Sequence, residues 1–453
     1  MAPSDLTNIF KAYDVRGTVP DQFNVDIARA VGVGFARFAK ASTILVARDM
    51  RPSGVELVAA FAEGAMSQGV NVIDLGLAST DLLYFAAGSL DAPGAMFTAS
   101  HNPAQYNGIK FCLSGARPVG VDSGLNDIRE VAVRELAQPS ASVASRGQLS
   151  QRNLLDAFAD HVVSFVDQDQ LIPLKVVADT ANGMGGLVVP AVCERLPQIQ
   201  LEVMFGELDG TFPNHPADPI QPANQKDLQA RVLSGGFDVG LAFDGDADRV
   251  FVVDEKGIGL SGSTTTALLA AAVLRKNPGA KIIHNLICSK AVPEVITEYG
   301  GVPIRSQVGH SYIKQLMAET GAVFGGEHSA HYYFLNNYRA DSGLIAAMHV
   351  FNEMSRSGEK LSQVRIPFER YSASGEINTQ VNDPLAVIER VGAAFAAFPS
   401  DRLDGLTIDC GSWWFNLRPS NTEPLLRLNL EANNRDECDQ HVSEVLALIT
   451  QNA

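Results

Sequence analysis

Apolar residues along this 453-residue chain fall into two recurring kinds of stretch. Short continuous runs, such as Thr43-Ile44-Leu45-Val46-Ala47, Gly94-Ala95-Met96-Phe97 and residues 237–243, have the length and composition of buried strands. Longer stretches with helical spacing lie between them, at 25–39, 154–166 and 264–275. Strands separated by helices predict βαβ units and mostly parallel sheets. The first third reads as strands at 43–47, 70–75, 94–98 and 108–113, with helices between; Ser53 and Glu56 have the spacing of a capping box. Residues 137–151, rich in Ser, Ala and Pro without periodicity, read as a linker.

The plan then repeats twice. Strands at 174–179, 237–243 and 250–254 follow, then strands at 281–284, 302–304 and 322–324, each set interleaved with helices. The last section differs. Asp383-Pro384 opens a helix to about 398, and three strands end in one where Leu426, Leu428 and Leu430 alternate with Arg427, Asn429 and Glu431. That alternation predicts an antiparallel sheet with one buried and one wet face. The fold class is α/β: three consecutive α/β domains with mixed, mostly parallel sheets, then a C-terminal α+β domain. The expected ranges are 1–145, 152–254, 255–365 and 366–453.

Composition narrows the partners. A formal net charge of −16 argues against nucleic acid or an anionic membrane surface. Five scattered cysteines without a C-x-x-C pair fit a reducing compartment and no zinc site. With no leader-like N-terminus and no apolar run of roughly 18 residues, a cytoplasmic protein is expected.

Four segments carry candidate chemistry. In Thr98-Ala99-Ser100-His101-Asn102-Pro103 a serine follows a buried strand, which presents its hydroxyl at a sheet edge. In Asp244-Gly245-Asp246-Ala247-Asp248-Arg249 three carboxylates alternate at the end of an apolar strand, oxygen ligands suited to a hard divalent ion such as Mg²⁺. A calcium loop of the EF-hand type is the rival, with Glu255 at the twelfth position. It needs glycine where Arg249 stands, and helices where the flanks read as strands. In Gly326-Glu327-His328-Ser329-Ala330-His331, the residues Glu327, Ser329 and His331 alternate, a comb for vicinal sugar hydroxyls. Arg418-Pro419-Ser420-Asn421-Thr422-Glu423-Pro424 joins two strands with the donors a dianionic phosphate needs.

In this order across the chain, the four segments resemble the four signature loops of the α-D-phosphohexomutase superfamily, closest to the bacterial phosphomannomutase/phosphoglucomutase group. The resemblance implies four domains around a central cleft. It implies a phosphoserine at Ser100, and Mg²⁺ held by Asp244, Asp246 and Asp248 beside a phosphoserine oxygen. Glu327 and Ser329 would contact sugar O3 and O4, and Arg418, Ser420, Asn421 and Thr422 would hold the phosphate not being transferred. Tyr13, Arg16, His101, Lys110, Arg249, Lys290, His310 and His331 match supporting active-site positions.

The implied reaction converts mannose 6-phosphate to mannose 1-phosphate through a hexose 1,6-bisphosphate, which also primes the enzyme; glucose phosphates are further candidates. His328 favours this subgroup over the glucosamine-phosphate mutases, and no residue reads C2. Lys110 is expected as general acid/base, which as a neutral base needs a lowered pKa, with His101 as competitor. Charge counting agrees: a phosphoserine of roughly −1.5 to −2 beside three aspartates needs Arg16, Lys110, Arg249, Lys290 and Arg418 nearby before a phosphosugar can enter. The alternatives are a phosphoglucomutase or phosphoglucosamine mutase, a non-catalytic phosphosugar-binding protein, and a Mg²⁺-dependent phosphatase that needs no bisphosphate. A monomer and a homodimer both fit.

Overall fold

A computed structural model of the chain describes residues 5–419 and 425–451. Four sheets follow one another along the chain. The first runs in the order Val15–Thr18, Tyr106–Leu113, Gly94–Phe97, Thr43–Arg48, Asn71–Leu77, Leu149–Gln151, with Arg117–Pro118 paired to Tyr106–Leu113. Its middle strands are parallel, while Tyr106–Leu113 lies antiparallel to both neighbours. The second sheet, Val250–Asp254, Val239–Phe243, Leu174–Asp179, Ile199–Met204, and the third, Val302–Ser306, Lys281–Asn285, Phe324–Gly326, Tyr332–Phe334, each carry one antiparallel edge strand on a parallel set. The fourth is a wholly antiparallel five-stranded sheet.

This placement puts the C-terminal ends of Gly94–Phe97 and Val239–Phe243 at the same junction, where the serine and aspartate loops begin. One apolar cluster extends continuously from Leu45 to Phe368 through the first three sheets, so those domains share a core. The last sheet has its own, Val381 to Ile449. It meets the third domain through polar contacts: Lys290 with Asp409, Arg305 with Asp401, and the Lys290 amide with Glu431 at 2.9 Å.

Local signals hold in part. Asn24 caps Val25–Ala39, accepting from Asp26 and Ile27, and Asp383 caps Pro384–Ala394. The expected capping box does not form. Ser53 sits in helical geometry, and its hydroxyl takes the Asn107 amide at 2.9 Å instead. Residues 149–151 are not linker: they pair parallel with Asn71–Leu77, since an edge strand asks only for backbone partners. The face of Leu425–Ala432 expected to be wet is covered at its far end, with Asn429 5% and Glu431 3% exposed. The third domain supplies that cover. The cysteines are free, four of them buried. Among the described residues no helix is long and apolar enough to cross a membrane.

Candidate active site

Ser100 follows the buried strand Gly94–Phe97 in a left-handed turn, with φ +49°, and is almost fully buried. A serine holds that conformation only where its surroundings fix it. Its amide donates to Thr98 Oγ1 at 2.9 Å. From the second domain, Gly245 packs so closely that a Cβ there would lie 2.5 Å from the Ser100 carbonyl oxygen. The aspartate loop can touch the serine loop backbone to backbone because residue 245 has no side chain. The Ser100 hydroxyl then donates to Asp244 Oδ2 at 2.7 Å.

The aspartates cap a hairpin whose two strands, Val239–Phe243 and Val250–Asp254, are buried throughout. Asp244, Asp246 and Asp248 are each at most 1% exposed, and one ligand oxygen of each lies within 4.8 Å of the others. Three carboxylates this dry require counter-charge. Lys110 Nζ supplies it at 2.7 Å to both Asp246 and Asp248, and Arg249 Nε at 2.9 Å to Asp244. Burial pushes the Asp244 carboxyl up, to about 8, against the pull of Arg249. At Asp246 burial is outweighed by the Lys110 ammonium and the Thr80 hydroxyl (2.6 Å), which hold the carboxyl below its usual range. Among the described residues Asp246 Oδ1 and Asp248 Oδ1 are buried with no hydrogen-bond partner, which fits oxygen ligands for a hard divalent cation. The calcium-loop reading fails: strands flank the loop, and Glu255 turns to the Ser362 hydroxyl at 2.5 Å.

Lys110 and His101 behave otherwise than a general base requires. Burial alone lowers a lysine, but Asp246 and Asp248 outweigh it and raise Lys110 above its ordinary value. His101 is held well below its ordinary value by burial and by Arg249. Arg249 Nη2 donates to His101 Nδ1 at 2.6 Å, so that nitrogen carries no proton and is already occupied. The same Nη2 lies 3.5 Å from Ser100 Oγ.

The third domain closes the cluster. Glu327 is 1% exposed and accepts from the Tyr333 hydroxyl (2.5 Å), Asn285 Nδ2 (3.1 Å) and the Gly309 amide (3.1 Å). His331 bridges two loops: Nδ1 is 3.1 Å from Ser329 Oγ, and Nε2 is 3.8 Å from Asp248. Ala330 between them has φ +66°, a left-handed conformation that a residue with a Cβ adopts only where its surroundings hold it. Tyr13 donates to the Val308 carbonyl at 3.0 Å and packs edge-on against His310 at 5.3 Å. Arg16 donates to Asn102 Oδ1 at 2.6 Å, beside Ser100, and its buried Nε has no hydrogen-bond partner among the described residues.

Family models match this chain in four consecutive pieces. They are phosphoglucomutase/phosphomannomutase alpha/beta/alpha domains I, II and III over residues 7–136, 156–257 and 261–371, and the C-terminal domain over 376–448. The chain belongs to the phosphoglucomutase/phosphomannomutase family. As a phosphohexomutase it is similar to the phosphomannomutase of Salmonella typhimurium, 41% identical over 93% of this chain and 94% of that one. The phosphomannomutase of Escherichia coli K12 is 40% identical over the same shares. Among solved structures, a phosphoglucomutase/phosphomannomutase family protein from Burkholderia thailandensis superposes with a TM-score of 0.88. It is 30% identical, with 100% of this chain and 99% of that one covered.

In this mutase, two expected site residues stand outside the buried cluster. Arg418 bonds Glu376 at 3.0 Å. Lys290 turns to the last domain, with Nζ 2.7 Å from Asp409 Oδ1 and 2.9 Å from the Gly411 carbonyl. Ser420, Asn421 and Thr422 lie outside the described residues. Three participants escape sequence reasoning. Arg427 pairs directly opposite Arg418 in the ladder, and the alternation of its strand is a usable signal for its face. Thr80 and Tyr333 reach Asp246 and Glu327 through tertiary packing alone, which no local pattern reports.

Proposed function

We propose that this mutase interconverts mannose 6-phosphate and mannose 1-phosphate, with glucose phosphates as a second substrate pair. It does so by way of a phosphorylated Ser100 and a hexose 1,6-bisphosphate. The contact that supports this best is the 2.7 Å hydrogen bond from the Ser100 hydroxyl to Asp244, joining a nucleophile from one domain to a carboxylate triad from the next. The mannose assignment rests on the names of the Salmonella and Escherichia relatives.

Asp244, Asp246 and Asp248 would hold Mg²⁺ together with the phosphoryl group on Ser100. When bound, the ion offsets charge on the transferring group. A sugar hydroxyl attacks phosphorus, its new P–O bond forms as the bond to Ser100 Oγ breaks, and Arg249 is near enough to stabilise the serine oxygen as it leaves. Lys110 works in its charged form, as a neutralising cation. His331, partly exposed between the sugar loop and Asp248, is the group positioned to take the hydroxyl proton. Arg418, with Arg427 and the loop that follows Pro419, would clamp the other phosphate while Glu327 and Ser329 read the sugar. The bisphosphate turns end for end, and its opposite phosphate returns to Ser100.

The test is a coupled assay of mannose, glucose and N-acetylglucosamine phosphates, primed with glucose 1,6-bisphosphate, on wild type and Ser100→Ala. Turnover of mannose phosphates is expected only with wild type, and only after priming. Equal rates for the two proteins would end the reading.

A further inference from the structure

We infer that Arg51 is a positioning residue for phosphoryl transfer: its buried guanidinium sets the shape of the loop that aims Ser100 at the aspartates. Arg51 is 0% exposed and among the largest fully buried side chains of the molecule. All five of its guanidinium hydrogens are used. Nη2 donates to the carbonyls of Ser100 (2.9 Å) and Asn102 (2.6 Å), and Nη1 to those of Pro103 (2.8 Å) and Tyr106 (2.9 Å). Nε donates to Asp49 Oδ2 at 3.2 Å, and that carboxylate also takes the Arg51 amide. One planar fork thus gathers four main-chain carbonyls of the turn from Ser100 to Tyr106, a geometry an ammonium cannot copy.

The turn needs such a hold because Ser100 sits at φ +49°. Its carbonyl is pinned on one side by Arg51 and crowded on the other by Gly245 of the aspartate loop. The second domain also fixes Arg51 itself. Phe212 lies 5.2 Å from the guanidinium carbon, and a Cβ on Gly210 would come within 2.7 Å of Arg51 Cα. Arg51 therefore touches no reacting atom, yet it decides where the Ser100 oxygen lies relative to Asp244.

The inference rests on Ser100 carrying the phosphoryl group, so mass spectrometry of wild type primed with glucose 1,6-bisphosphate is the control. An unmodified Ser100 there defeats the function proposed above and not the role of Arg51 as such. With that control positive, Arg51→Lys and Gly210→Ala are assayed for kcat and KM beside thermal melts. A misplaced oxygen predicts kcat down about 100-fold for Arg51→Lys and about 10-fold for Gly210→Ala, with KM within about two-fold in both. The melting midpoint should fall modestly for Gly210→Ala, whose added methyl presses on the Arg51 backbone without removing a charge, in a protein that still folds. If Arg51→Lys does not fold, Gly210→Ala decides alone. A folded variant with near-wild-type kcat, or one whose KM rises while kcat holds, overturns the inference.

Discussion

Glu376 holds Arg418 at 3.0 Å across the sheet of the last domain, and the same carboxylate reaches Arg427 at 3.6 Å. The two arginines face each other directly in the antiparallel ladder, and among the described residues neither buried Nε makes a hydrogen bond. Like charges so placed repel. Among the described residues one carboxylate neutralises only one of the two guanidiniums, leaving a net positive charge where the strand Trp413–Pro419 ends. Under the proposed function a phosphate of the substrate would meet that charge.

Removing a charge-assisted bond to phosphate costs about 1.5–3 kcal/mol, which corresponds to roughly 10- to 100-fold in affinity. Arg418→Ala is therefore expected to raise KM by that factor while kcat changes less. Arg427→Ala should shift KM in the same direction by a smaller factor. Steady-state kinetics with mannose 1-phosphate decides; an unchanged KM in Arg418→Ala removes that side chain from the substrate site.

Lys110 is the sole lysine bonded to the triad among the described residues, and it neutralises Asp246 and Asp248 at once. Lys110→Met leaves two buried carboxylates facing each other, a change of about 3–5 kcal/mol when one member of a buried pair is lost. The variant should melt well below wild type in EDTA, and millimolar Mg²⁺ should recover more of its midpoint than it adds to wild type. Identical Mg²⁺ shifts in the two proteins would separate Lys110 from the cation site.

The strand–helix alternation and the serine and aspartate loops that meet in the fold were legible because each is written in contiguous residues: Gly94 to Phe97 as a buried run, Asp244, Asp246 and Asp248 at alternate positions. What failed was competition between local and distant partners. Ser53 could cap its own helix, but Asn107 offered a better-placed amide. Glu431 alternates like a wet-face residue, yet it is covered because a helix of the third domain starts against it. Lys110 on its own strand carries no sign of its protonation state. Carboxylates from a loop more than a hundred residues away fix it, and that distance is invisible to any periodicity.

Tyr333 donates to Glu327 Oε1 at 2.5 Å, one of three protein donors that orient this buried carboxylate. Tyr333→Phe keeps the ring and leaves one carboxylate oxygen short of a partner, costing about 1–3 kcal/mol. With Glu327 free to reorient, kcat/KM should fall roughly ten-fold, in a protein that still folds. Activity equal to wild type in Tyr333→Phe would mean that Glu327 is held adequately by Asn285 and the Gly309 amide alone.

Asp81 joins the first and third domains where two helices begin. It is fully buried and accepts the hydroxyl of Ser79, which caps Thr80–Ser89, and that of Ser342, which caps Gly343–Ser357. Burial pushes its carboxyl from the ordinary 3.8 up to about 7, against those two hydrogen bonds. Between about pH 4 and pH 7 the folded chain thus keeps a proton that the unfolded chain has already released. Stability is therefore highest from this group below about pH 4 and falls as pH rises to about 7, by on the order of 4 kcal/mol in total. Asp81→Asn cannot ionise, and of the Ser79 and Ser342 hydroxyls, which bond different carboxylate oxygens, one can still donate to its Oδ1 while the other accepts from its Nδ2. The melting midpoint of Asp81→Asn relative to wild type should accordingly rise from pH 5 to pH 8. A difference that stays constant across that range would show that Asp81 releases its proton in the folded state as readily as in the unfolded one.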